Sequence, residues 1–330
     1  MAEENGVAGY EPALDDVGHG ITSIDTRMAG YPQLNSVYVI AGREPALVEA
    51  GSGADGPTIV AGLERLGVAP AELAHIVVTH VHVDHAGGAG ALLARFPRAT
   101  LWIHERGAPH AVDPTRLVAS TARTYGEARM RALYGTTLPC PADRVRTVGD
   151  GDPIALGDRR LEVVYTPGHA SHHVALLDDA SGAMFTGEAI GSLLPWADCC
   201  RPALPPPETD VELALESIGR MRARDPSFLL TSHFGPVADP QAGFDRGAAR
   251  IEAWADTVRE QLARAGDASI DELEDVLSRQ AKREYESDSG LPFDRDRYDA
   301  IGSIRMNAQG LARYWRKRWE REATGAEGEA

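Results

Sequence analysis

The sequence has little cysteine: Cys140, Cys199 and Cys200 are the only three in 330 residues. An odd count with two adjacent members forms no disulfide framework, and the lack of a C-x-x-C pair excludes zinc-ribbon and thioredoxin-type sites. Apolar runs are short, none approaching the roughly 20 residues a membrane helix needs. The opening residues, Met1-Ala2-Glu3-Glu4-Asn5-Gly6, have neither the basic nor the apolar stretch of a secretory leader. These absences predict a cytoplasmic protein with no membrane partner. Positive charge is also scarce, with 33 Lys and Arg against 49 Asp and Glu, a formal charge of −16. A surface of that sign repels phosphate backbones, so no nucleic-acid partner is expected. The one basic run, Arg313 to Arg321, lies in a helical stretch and reads as a solvated face near the helix's negative end. Ser52 and Ser303, each beside a glycine, lack the strand-turn-helix setting of a nucleophilic serine.

What is present is the profile of a globular protein, with 43% hydrophobic and 25% charged residues. Residues 1–20 are polar and predict a flexible N-terminal arm. From Ile21 short β-like runs alternate with turns and helical stretches. Strands are expected over Ile21 to Ile24, Val37 to Ile40, Ala46 to Ala50, Ile76 to Thr79 and Thr100 to His104. Helices are expected over Pro57 to Leu66 and Ala89 to Phe96. A β-rich section runs from Arg144 to Thr186, and the proline-rich stretch Leu193 to Pro207 reads as an extended loop. From Gln241 to about Arg321 the pattern is helical, with Tyr298, Ile301, Ile304, Leu311, Tyr314 and Trp315 at packing intervals. The chain thus divides into an arm (1–20), an α/β body (21–238) and a helical C-terminal region (239–330).

The most informative stretch is Thr79-His80-Val81-His82-Val83-Asp84-His85-Ala86-Gly87-Gly88. Four ligand-type side chains crowd together at the end of an apolar β-run. In an extended segment alternate side chains share a face, so His80 and His82 can address one point while Asp84 and His85 address a second. Histidine and carboxylate are the donors that zinc or iron takes. Two metals need more donors, and His169, Glu188 and His233 each follow an apolar β-run and a small or turn residue. In an α/β sandwich such strand ends converge on one edge.

The run His80-x-His82-x-Asp84-His85, followed in order by His169, Glu188 and His233, resembles the metallo-β-lactamase superfamily, most closely its glyoxalase II-like and lactonase-like hydrolases. The resemblance implies an α/β fold, a four-layer αββα sandwich, over about residues 21–238, with a helical C-terminal extension that covers the substrate. It implies that His80, His82 and His169 hold one metal, that Asp84, His85 and His233 hold another, and that Glu188 bridges them. Glu188 departs from the family's usual aspartate. Its extra methylene alters how the carboxylate reaches the metals and leaves iron open beside the favoured zinc.

Two divalent ions side by side acidify a water and polarise a carbonyl, which suits hydrolysis of an ester, thioester or lactone of a small molecule. Asp84 is the expected catalytic carboxylate, passing a proton toward the leaving group. An iron-dependent oxidoreductase of the same fold is the alternative that Glu188 supports, and a phosphodiesterase or RNase fits the acidic balance poorly. Of the other histidines, His172 is a candidate for orienting a ligand, His104 and His110 for lining the pocket or capping a helix, while His19 and His75 read as surface residues. Cys199 and Cys200 read as packed or surface thiols. Trp196, Tyr125 and Tyr134 are candidate pocket walls.

Overall fold

The computed structural model describes residues 11–265, 268–300 and 302–325. Two sheets face each other. The first has seven strands in sequence order, from Leu14–Gly18 to Val145–Val148. Its first four strands run antiparallel through Ala46–Val48, after which His75–Val77, Thr100–His104 and Val145–Val148 add in parallel. The second sheet has six strands, in the spatial order Gly235–Val237, Phe228–Thr231, Ala183–Gly187, Val174–Asp178, Arg160–Tyr165, Pro153–Ala155.

Side-chain alternation explains the layering. Along Ser36–Ile40, Tyr38 and Ile40 enter the core between the sheets, whereas Val37 and Val39 pack outward. Leu161 and Val163 face the same inter-sheet core, and Val164 faces away from it. Strands that are apolar on both faces require cover on both. Helices Gly56–Arg65 and Ala89–Arg95 cover the first sheet through Ile59, Leu63, Leu92 and Leu93. Helices Val211–Arg222, Pro240–Ala265, Ile270–Ser289 and Ile304–Thr324 cover the second through Met221, Trp254, Leu277 and Leu311. The result is the αββα sandwich, with the C-terminal helices sharing one core with the second sheet. No helix of the described residues is long and apolar enough to cross a membrane.

Three local expectations change. The flexible arm was expected to reach residue 20, yet Leu14–Gly18 pairs antiparallel with Ile21–Asp25, because the turn between them accepts the positive φ of Gly18, His19 and Gly20; residues 1–10 lie outside the described residues. The proline-rich stretch is not all loop: Ser192–Leu194 and Cys199–Arg201 pair as a short hairpin between the prolines. Among the C-terminal packing residues, Ile301 lies outside the described residues, and Tyr298, Ile304, Leu311, Tyr314 and Trp315 are buried.

Candidate metal centre

Every candidate ligand sits just past a strand end on one edge of the sandwich. After His75–Val77 the chain does not remain extended: His85 and Ala86 donate their N–H groups to the His82 carbonyl at 3.0 and 2.9 Å, winding residues 82–87 toward helix Ala89–Arg95. His80 Nε2 lies within 3.1 Å of His82 Nδ1, and the turn leaves Asp84 and His85 on the far side. His169 arrives from a loop clamped to helix Val211–Arg222. Gly168 there has φ +132°, and a Cβ on it would lie 2.3 Å from Ala214 N. Ser217 Oγ donates to Pro167 O at 2.6 Å. Glu188 follows Ala183–Gly187, and His233 follows Phe228–Thr231 by one residue.

All seven side chains come together as two sets. His82 Nδ1 lies 3.0 Å from His169 Nε2, and Glu188 Oε2 lies 3.1 Å from His169 Nε2 and 3.5 Å from His80 Nε2. Across the site, His85 Nε2 is 3.2 Å from His233 Nε2, and Asp84 Oδ2 is 3.6 and 3.8 Å from His233 and His85. Glu188 reaches both sets, with Oε2 3.4 Å from His85 Nε2 and Oε1 3.7 Å from His233 Nε2. The extra methylene of glutamate is thus accommodated with one carboxylate facing both groups.

Hydrogen bonds on the outer side show what the inner nitrogens offer. His169 Nδ1 is 2.9 Å from Ala203 O, and His233 Nδ1 is 2.8 Å from Leu34 O. A carbonyl only accepts, so each ring carries its proton there and turns a lone pair inward. His85 Nδ1 faces Glu49 Oε1 at 3.2 Å. Thr79 Oγ1 donates to Glu49 Oε1 at 2.5 Å and is left to accept from His80 Nδ1 at 3.0 Å. In their neutral forms these four imidazoles therefore turn lone pairs inward beside the carboxylates. Spacings of 3.0 to 3.5 Å match the edges, about 3.3 Å, of a tetrahedron of donors about 2.0 Å from a zinc-like ion. The donor set fits divalent cations.

The electrostatics divide the rings: burial opposes charge on His169, but Glu188 prevails and raises it. Burial, together with neighbouring imidazoles, holds His80 and His82 well below the usual histidine range, so both are neutral donors. Burial works against charge on Asp84, but His85 and His233 outweigh it and bring the carboxyl down to about 2. Burial likewise opposes charge on Glu188, and His169 and His233 overcome it, leaving the group well below the carboxylate range. His85 is pushed well above its usual value: burial opposes its charge, and Asp84 and Glu49 prevail. A proton on His85 neutralises the same carboxylates that a cation neutralises.

The sequence reading left out Glu49. Its side chain is buried behind His85 and also accepts from Thr79 N at 3.3 Å and Ser232 Oγ at 2.8 Å, so its oxygens are taken up in holding the site. It stands at φ +68°, a costly conformation for a non-glycine residue. The signal was present, since Glu49 follows the run Ala46–Val48 as the other acids and histidines follow theirs. His173 was also passed over in favour of His172. His173 Nε2 accepts from Glu188 N at 3.1 Å, whereas His172 Nδ1 accepts from Val81 N at 3.3 Å and lines the cavity. His75 is half-buried rather than a surface residue, taking the Trp102 indole N–H at 3.1 Å. His104 stacks on Tyr165 at 4.7 Å.

A cavity of about 240 Å³ opens onto the site. Asp84, Glu188, His169 and His233 form its inner end, and Leu117, Tyr125, Tyr134, Pro205 and Met306 form much of its wall. His110 also lines it; Trp196 and both vicinal cysteines do not. Cys199 and Cys200 are buried thiols, Cys200 Sγ facing Ile190 O at 3.4 Å.

The sequence profile of the Metallo-beta-lactamase superfamily matches residues 30–233. The chain belongs to that superfamily. Its sequence is 26% identical over 226 residues to the metallo-beta-lactamase fold-containing protein ST1585 of Sulfurisphaera tokodaii, covering 66% of this chain and 80% of ST1585. The solved structure of ST1585 superposes with a TM-score of 0.62 at 22% identity, over 89% of this chain and 98% of that one. A hydroxyacylglutathione hydrolase of Aeromonas hydrophila is 32% identical over 131 residues, 39% of this chain and 38% of its own length. Human acyl-coenzyme A thioesterase MBLAC2 is 32% identical over 133 residues, 36% and 43% of the two chains. For these last two the match spans less than half of the relative. Membership, the fold and the His/Asp/Glu clusters together make this a metallo-β-lactamase superfamily protein with a site compatible with divalent metals.

Proposed function

We propose that the protein is a dinuclear, metal-dependent hydrolase of a small-molecule ester, thioester or lactone. His80, His82, His169 and Glu188 hold one ion in this reading, and Asp84, His85, His233 and Glu188 hold the other. The nitrogen-rich donor set favours zinc. The observation that carries the reading is Glu188, one carboxylate shared by two convergent donor sets at the inner end of a cavity. Bound divalent ions supply Lewis acidity toward a carbonyl and a water.

The chain's own groups supply the rest. The largely apolar wall around Leu117, Tyr125 and Met306 excludes water and seats the acyl part of the substrate. Asp84, ionised at neutral pH, accepts the proton of the attacking water. The proton it takes from the water can pass on to the leaving atom, and the demand for that transfer is least where the leaving group can already depart as an anion. A thiolate, whose conjugate acid has a pKa of about 8.5, does so far more readily than an alkoxide, so thioesters stand first among the three classes. The thioesterase and hydroxyacylglutathione hydrolase names of partial relatives are in keeping with this. Three buried free thiols suit a reducing, cytoplasmic compartment.

Elemental analysis of the purified protein, with a panel of acyl thioesters, lactones and p-nitrophenyl esters, tests the reading. Two equivalents of divalent metal and chelator-sensitive turnover are expected. A protein that takes up no metal and cleaves none of the panel overturns it. Oxygen uptake by iron-loaded protein in place of hydrolysis selects the oxidoreductase instead.

A further inference from the structure

One buried guanidinium on the cavity wall has no carboxylate partner among the described residues. Arg201, at the end of the Cys199–Arg201 strand, is 2% exposed and lines the cavity that also contains Asp84 and Glu188. Buried guanidinium groups are ordinarily paired with carboxylates, because an isolated charge away from water is costly. Arg201 has no such ion pair among the described residues. Its Nη1 donates to the Tyr298 carbonyl and its Nη2 to Ser192 Oγ at 3.3 Å, while Nε is buried with no acceptor at all. A guanidinium has five N–H donors, and protein atoms take up only two of them here.

The surroundings hold the group still and keep it reachable. The Tyr298 ring lies 5.4 Å from the guanidinium carbon, and Ser192 stands opposite Arg201 in the hairpin register. Gly302, also on the cavity wall, packs directly against the charge. A Cβ at that position would lie 3.1 Å from Arg201 Nη2. Two fixed hydrogen bonds, unused donors and a place on the cavity wall describe a preorganised anion receptor rather than a structural arginine fully spent on its neighbours.

We propose that Arg201 receives a carboxylate carried by the acyl portion of the substrate, so that the compound cleaved is the thioester or ester of a dicarboxylic acid. This rests on the hydrolase reading above. A planar carboxylate is the anion whose two oxygens match a guanidinium edge. With its charged end at Arg201 and its other acyl end among the metal donors, the substrate is held at two points of one cavity, which orients its scissile carbonyl.

Matched N-acetylcysteamine thioesters differing only in the distal carboxylate, glutaryl and pentanoyl, test this on the metal-loaded wild-type protein. A preference for glutaryl of at least about tenfold in kcat/KM, carried by KM, is expected. Equal turnover of the pair, or preference for pentanoyl, overturns the proposal and leaves the hydrolase reading standing. Calorimetric titration of glutarate into the wild type and R201M supplies a readout that does not depend on turnover, with melting curves checking that the variant is folded. Binding at least about tenfold weaker in R201M is expected, with R201K intermediate because lysine keeps the charge and loses the fork. Equal affinity in wild type and R201M places the carboxylate on the metals alone and overturns the proposal. Arg201-dependent glutarate binding without hydrolysis of any thioester, ester or lactone retains the receptor and overturns the hydrolase.

Discussion

Glu188 and its hydrogen-bonded neighbours show how much depends on single atoms. The shared carboxylate lies within 3.1 to 3.7 Å of His169, His80, His85 and His233. Shortening it by one methylene withdraws it from one of the two sets, because His173 Nε2 already anchors its backbone N–H at 3.1 Å. Glu188→Asp is expected to lower metal content from two equivalents toward one, and kcat/KM by about 10- to 100-fold, as read by elemental analysis and steady-state kinetics. Asp55 gives a pH prediction. Burial raises its pKa to about 6, against hydrogen bonds from Ser52 that act in the other direction. Between pH 4 and 6 the folded protein therefore holds a proton that the unfolded chain has released, so this residue's contribution to stability falls as pH rises through that window and is level above it. The span from 3.8 to about 6 corresponds to about 3 kcal/mol. Urea unfolding should show Asp55→Asn gaining about that much relative to wild type between pH 4 and pH 7.

The elements carry ligands only because backbone passes closely behind them. Gly187 ends the Ala183–Gly187 strand at φ +53°, and a Cβ there would lie 2.5 Å from His173 Nε2 and 2.7 Å from Thr79 Oγ1. Gly187→Ala is expected to cost at least about 2 kcal/mol, from the left-handed backbone and the overpacking together. Gly219, on the exposed face of helix Val211–Arg222, has nothing within 4 Å of the added carbon. Gly219→Ala is expected to stabilise by about 0.5–1 kcal/mol. Thermal melts of the two variants side by side check both signs. At this scale the sequence was largely legible. The strands from Ile21 to Thr186 announce themselves by apolar runs between turns, and the helix over Gly56–Arg65 by its spacing. The hairpin of Ser192–Leu194 with Cys199–Arg201 was not legible, since three-residue strands among prolines carry no period to read.

For the whole molecule, the C-terminal helices belong to the body's core. Trp254, Leu277, Leu311 and Tyr298 share one buried cluster with Val164, Ala175, Met184 and Leu229 of the second sheet. They also bring Met306 and Asn307 to the cavity wall. Truncation after residue 238 exposes the outer face of that sheet and removes this part of the cavity. An insoluble or aggregated product is expected by size-exclusion chromatography, where an independent appendage would leave a monodisperse body.

The sequence by itself determined the layers and the candidate donors, because burial on two faces demands apolar alternation and because ligand-type residues are conspicuous at strand ends. His80, His82, Asp84, His85, His169, Glu188 and His233 could all be named before any geometry was known. Only the tertiary structure decided which atoms face which. Glu49 stands behind His85 and not among the inward-facing donors because its oxygens already accept from Thr79, Ser232 and the outer edge of His85. Arg201 is a buried charge without an ion pair because, among the described residues, no carboxylate from some distant stretch was brought to it. Neither fact is local. A residue's partners come from chain segments that sequence distance does not order, and burial, which makes an unmet hydrogen bond costly, exists only once those segments have packed.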